Sequence, residues 1–241
     1  MQYDFTAFTG HWPFRRLRQG ALEEVLEKYR EAGFSGGVIS SLDAIFYNDP
    51  WEADGPLLER LRSTDWELAM CLDFRLPRWE DRMAEARSAG VRFIRLYPGI
   101  HGYSILDTAP LWKVAEELGM TLLITARLED ERLCRLLDQG KVSLADCAAM
   151  ARRFSQVPIV VSGFYLGELR SLTSWPENLW TDTSGLRHGM LTDHCDRIVF
   201  GSGFPLNCIE SHLLNLPEPD QQVALEANPR LLLHVGNTRA L

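Results

Sequence analysis

The residue types able to do chemistry in this sequence are spread along it rather than gathered in one motif. His11 carries an imidazole whose ordinary pKa lies near neutrality, which suits a general acid or base. Asp73 could accept a proton and Tyr97 could pass one on. Arg95 and Arg127 present planar forks of donors matched to a carboxylate or phosphate. Thr6, Thr125, Asp182 and Ser202, with Ser184 and His101, are polar groups that could line a site for such an anion. Each also has a plainer role. His11 can pack in a loop beside Trp12 and Phe14, Asp73 can pair with Arg75, and the two arginines can pair with Asp4, Asp73 or Asp182.

Several chemistries are excluded or disfavoured. No Gly-x-Ser-x-Gly elbow or P-loop occurs, and Gly201-x-Gly203 lacks the third glycine of a dinucleotide fingerprint. His188 and His194 lie six apart, which is not a helical ligand pair. The net charge of −8 argues against nucleic acid or an anionic membrane as partner. Five cysteines without a CxxC pair read as reduced thiols. With no leader and no long apolar run, the expectation is a cytoplasmic protein.

The elements that must position these residues repeat at a steady rhythm. Short apolar runs at Tyr3–Phe8, Gly37–Ser40, Leu68–Asp73, Val91–Tyr97, Thr121–Thr125, Pro158–Ser162, Leu179–Thr183 and Ile198–Gly201 read as strands. Between and after them, Ala21–Ala32, Asp49–Arg62, Trp79–Ser88, Leu111–Leu118, Glu129–Gln139, Ser143–Phe154, Pro219–Leu225 and Pro229–Val235 read as helices. Eight strands alternating with helices over 241 residues predict an α/β protein, a single (β/α)8 TIM-like barrel spanning the whole chain. Such barrels carry their sites at the C-terminal mouth, where His11, Asp73, Tyr97 and Arg127 would then gather.

The opening Asp4-Phe5-Thr6-Ala7-Phe8, followed by Gly10 and Trp12-Pro13-Phe14, resembles the first strand of the amidohydrolase superfamily, where Asp-x-His-x-His is usual. Segments Gly90–Leu96, Gly119–Thr125, Phe154–Gly163, Leu179–Gly185, Ile198–Pro205 and Asn228–Leu232 are similar in order and spacing to the amidohydrolase-related family of hydrolases and decarboxylases. The resemblance implies five metal-supporting positions, and they fall on Thr6, Phe8, Thr125, Gly163 and Gly203. A divalent zinc or manganese wants imidazole and carboxylate donors, which none of these supplies. The expectation is therefore a degenerate member without cofactor or metal, and without a metal nothing lowers the pKa of a bound water, so the family's usual hydrolytic mechanism does not carry over.

Two readings follow. One is a metal-independent hydrolase or lyase acting on a small carboxylated molecule at the barrel mouth, with His11, Asp73 or Tyr97 moving protons. The other is a non-catalytic relative that binds a small anionic ligand or a protein partner, with Trp51, Trp66, Trp79 and Trp175 offering surface. A homo-oligomer is compatible with either.

Overall fold

The computed structural model describes residues 1–130, 132, 139–186 and 196–235. Strands β1 (Gln2–Thr9), β2 (Phe34–Ser41), β3 (Trp66–Cys71), β4 (Phe93–Leu96), β5 (Thr121–Thr125), β6 (Ile159–Ser162), β7 (Leu179–Asp182) and β8 (Ile198–Val199) pair in chain order. Every pairing is parallel. The segment after β8 returns to β1, with Phe5 N–H on Phe200 O and Gly203 N–H on Thr6 O, both at 2.8 Å. Those bonds close the sheet into a barrel.

Helices clothe the barrel between its strands: α1 (Leu22–Glu31), α2 (Trp51–Leu61), α3 (Trp79–Ser88), α4 (Pro98–His101), α5 (Ala109–Leu118), α6 (Leu144–Arg153) and α7 (Leu166–Ser171). After β8 come α8 (Ile209–Leu214), α9 (Glu218–Gln222) and α10 (Asn228–Val235). Their apolar stripes pack on the barrel: α1, for example, buries Leu22, Val25 and Tyr29 and gives way to Gly33 at φ 87°. No helix among the described residues is long and apolar enough to cross a membrane.

Several boundaries differ from expectation for physical reasons. Strand four is Phe93–Leu96, shorter than Val91–Tyr97, because Val91 N–H is taken by Ala86 O at the end of α3 and Tyr97 already begins α4. The loop expected over Ile100–Thr108 contains the end of α4 and a 3-10 turn, Ile105–Thr108. The two closing helices are linked by a π turn at Val223–Ala227 rather than broken. Helices α7 and α8 were not expected, because six residues are too few to show a periodic stripe. Most of the helix expected over Glu129–Gln139, with His188, His194, Cys134 and Cys195, lies outside the described residues.

Side chains alternate along each strand, so the barrel interior is built in layers. The lowest layer is apolar: Phe5, Val38, Ala69, Phe93, Leu123, Val160 and Val199 form one buried cluster, closed below by Leu232 of α10. Two residues further along the strands the layer changes character, to Ser40, Cys71, Arg95, Thr125, Ser162 and Asp182. Strand β1 joins this layer through Thr6, helped by a register irregularity between Asp4 and Ala7 against β2.

Candidate functional site

Arg95 stands in the middle of that polar layer. Its side chain is fully buried, which is costly for a charge without partners. Its Nε donates to Ser40 Oγ at 2.9 Å, Nη1 to Thr125 Oγ1 at 3.2 Å and Nη2 to Phe5 O at 2.9 Å. The guanidinium carbon lies 5.2 Å from the centre of the Phe8 ring, a cation–π arrangement. Burial pulls its pKa below the ordinary value, opposed by Tyr97, Asp182 and Asp4. Across the barrel, Asp182 accepts from Thr6 Oγ1, from Ser184 N at 3.0 Å and from Ser184 Oγ at 2.6 Å. Thr6 also lies 3.4 Å from Ser162 Oγ. The layer is thus one cation and one anion held apart by neutral hydroxyls.

Above it the described residues form an apolar plug. Phe8, Trp12, Leu42, Ile45, Tyr97, Leu128 and Leu206 pack as one buried cluster. Trp12 Nε1 donates to Glu129 Oε2 at 2.9 Å, and Arg15 bridges Glu129 and Leu206 O, which fastens the plug to its rim. Among the described residues a cavity of about 20 Å³ lies beside Gly163 and Asn207, on the order of a single water, and wider open grooves of about 570 and 490 Å³ run along the loop after β1 and along residues 98–107.

The residues singled out from the sequence therefore part company. Thr6, Thr125, Arg95 and Asp182 meet in the inner layer, whereas Arg127 turns away to a bidentate pair with Glu168 at 2.8 and 2.9 Å over the Tyr165 ring. The guanidinium pair expected over the mouth does not form. Ser202 belongs to a different network: with Tyr29 Oη at 2.8 Å and Asp4 it fills the space between β1, β8 and α1. Asp4 there accepts from Thr6 N, Tyr29 Oη and Ser202 N, yet burial still lifts its pKa to about 6. His11 is exposed, its backbone N–H bound to Asp43. Tyr97 is fully buried with no partner for its hydroxyl, and burial raises it well above its ordinary value. Asp73 is clasped by Arg75 Nε and Nη2 at 3.1 and 2.8 Å; burial would raise its carboxyl, but Arg75 outweighs that and holds it low. The three residues considered for proton transfer occupy three separate environments.

Sequence reasoning gave too little weight to His101. Its Nε2 meets Ile45 O at 3.0 Å, while Nδ1 is buried without a partner. Burial lowers its pKa, with Ile45 and Asp73 opposing and Arg75 assisting. Four polar atoms without hydrogen-bond partners, on Asp54, Tyr97, His101 and Tyr103, belong to the β3 end, the β4 end and the neighbouring helix α2. Trp66 is buried and Trp51, Trp79 and Trp175 are half-buried, so none of the four tryptophans is freely exposed.

Whether a divalent metal fits can be judged from the donors. Thr6 and Thr125 are engaged with Asp182 and Arg95, and Phe8 is a ring. Gly163 and Gly203 adopt φ +75° and +67°, and a Cβ at Gly163 would fall 2.2 Å from Arg127 O. Among the described residues no group of three or more His, Cys, Asp or Glu side chains is placed to hold a metal ion. A permanent guanidinium already sits in the layer that Thr6 and Thr125 line. These residues do not fit a cation site.

Comparison with solved structures agrees with the barrel. An uncharacterised TIM-barrel protein from Bordetella bronchiseptica superposes with a TM-score of 0.73 at 17% identity, covering 98% of this chain and 99% of its own. A putative amidohydrolase from Staphylococcus aureus gives 0.66 at 12% identity, over 96% and 99% of the two chains. Enamidase, described as a member of the amidohydrolase superfamily, gives 0.62 at 13% identity, over 96% and 66%. The fold is that of a TIM barrel. At these identities the likeness is one of architecture alone. No family model and no curated protein matches the sequence. On the axis of this barrel stands an arginine among hydroxyls.

Proposed function

We propose that this chain is a metal-independent, amidohydrolase-like barrel that binds a small molecule off the barrel axis and performs no metal-assisted hydrolysis at its centre. One observation carries the reading. Arg95 occupies the inner layer as a fixed, hydrogen-bonded cation between Ser40, Thr125 and the Phe5 carbonyl, beneath the Phe8 ring. A divalent ion beside it would meet like charge, with Asp182 as the one carboxylate of the layer and already bound by Thr6 and Ser184. Elemental analysis of protein purified without chelator should find divalent metal well below one per chain, and added zinc or EDTA should leave the melting temperature unchanged. A stoichiometric ion whose removal lowers that temperature would overturn the reading.

A second reading, turnover without a metal, is favoured by the unpartnered Nδ1 of His101 beside the Asp73–Arg75 pair. Ester hydrolysis that His101→Ala abolishes in a natively folded variant would establish it. Rates equal to those of buffer would leave binding as the function.

A further inference from the structure

The N-terminal ends of α2 and α3 and the C-terminal end of β3 enclose a cleft of about 270 Å³. At roughly 30 Å³ per water this is room for about nine waters, the size of one ring with a charged head. Its floor is Met70, Cys71 and Leu72, and Trp51 and Trp79 contribute to its walls. Around them stand four carboxylates, Asp49, Asp73, Asp81 and Glu85, against three guanidiniums, Arg78 and Arg82 in the lining and Arg75, which clasps Asp73. The lining is therefore net acidic and aromatic.

Three further details point the same way. Arg82 places its guanidinium carbon 5.5 Å from the Trp51 ring centre, so the indole already receives a planar cation from within the chain. Arg82 also reaches Asp49 at 3.2 Å and Glu85 at 2.9 Å, pairs that are part-exposed and so cheap to exchange. Behind the floor, Asp54 is fully buried; its Oδ2 accepts from Cys71 N at 2.7 Å and its Oδ1 has no partner.

Resting on the reading that ligand is taken off the axis, we propose that this cleft binds a small planar organic cation, an amidinium, guanidinium or aromatic amine on a compact apolar body, stacked on Trp51 and paired with Asp73 and Asp49. An anion of the same shape would face four carboxylates against three arginines that are already paired with them, and the first turn of α3 carries Glu80 and Asp81. The ligand class is thus opposite in sign to the carboxylated one expected from sequence.

The test uses the full chain with benzamidine, benzoate and benzyl alcohol, probes of one shape and three charges. Calorimetric titration and tryptophan fluorescence should show saturable binding of benzamidine at least tenfold tighter than either of the others. Asp73→Asn and Asp49→Asn should each weaken it severalfold while far-UV circular dichroism stays native. Since Trp51→Leu removes packing as well as the stacking face, the two polar variants decide the matter if it unfolds. Benzoate binding as tightly as benzamidine would overturn the class of ligand while leaving off-axis binding and metal independence standing. No saturable binding of any probe by natively folded protein, or benzamidine binding indifferent to all three variants, would overturn the site itself.

Discussion

Of the arginines that lie over aromatic rings, Arg95 and Arg82 have surroundings that could hardly differ more. Arg95 covers Phe8 at 5.2 Å on the barrel axis, fully buried, its donors spent on two hydroxyls and a carbonyl. Arg82 covers Trp51 at 5.5 Å in an open cleft, paired with Asp49 and Glu85. The first sits in low dielectric, where partners cannot be exchanged without leaving a charge bare. The second sits where water can replace any partner at little cost. A guanidinium over a ring is thus a fixture of the fold in one place and an exchangeable occupant in the other, and solvent access decides which.

That contrast can be broken most forcefully at the axis. Arg95→Met keeps the volume but strips three hydrogen bonds and leaves Asp182 as the layer's only charge, so a loss of about 3–5 kcal/mol is expected in urea unfolding. A loss under about 1 kcal/mol would show the arginine to be replaceable packing.

A pH experiment comes next. Asp4 titrates in the fold at about 6 against an ordinary 3.8, so between those values the native state holds the extra proton. Its contribution is fully present below about pH 4 and is lost as pH rises through about 6, a fall of about 3 kcal/mol. Asp4→Asn should remove that fall, seen as a difference between the two proteins' stability curves across pH 4 to 7. Parallel curves would mean that Tyr29 and the Ser202 amide already pay for the buried charge.

Smaller effects sharpen the picture. Gly163→Ala should cost about 2 kcal/mol, because φ +75° is unfavourable for any side chain and Arg127 O lies in the way. At the cleft, Arg78→Gly should gain about 1 kcal/mol by relieving the left-handed strain, and the exposed pair with Asp81 is too weak to offset it. Thermal melts would register both, with opposite signs.

The barrel was legible because its strands are short apolar runs punctuated by glycine and proline, and burial on both faces leaves few other arrangements. Part of the inner layer was legible too: Val38-x-Ser40, Phe93-x-Arg95, Leu123-x-Thr125 and Val160-x-Ser162 repeat one apolar-then-polar step, and their alternation places them at one height. Thr6 and Thr125 drew notice instead as the positions where the resembled family carries histidines, and Asp182 as a polar residue near a strand end. What the sequence left open was contact across the barrel. Nothing local says that Arg95 reaches Ser40 and Phe5 rather than solvent, that Arg127 turns to Glu168, or that Ser202 faces Tyr29 on α1. Nor could a cleft assembled from three separate elements be seen in any one segment, though Trp51, Asp73 and Trp79 were all in view.

The two left-handed glycines have a consequence for design. Replacing Gly163 by histidine would drive a new β-carbon into the backbone at Arg127 O, whereas aspartate at Gly203 would meet only the amide end of the Asn207 side chain, 2.6 Å away, which can turn aside. A designer wanting an ion on the axis would therefore rebuild the loop around 127 before placing any ligand at the end of β6.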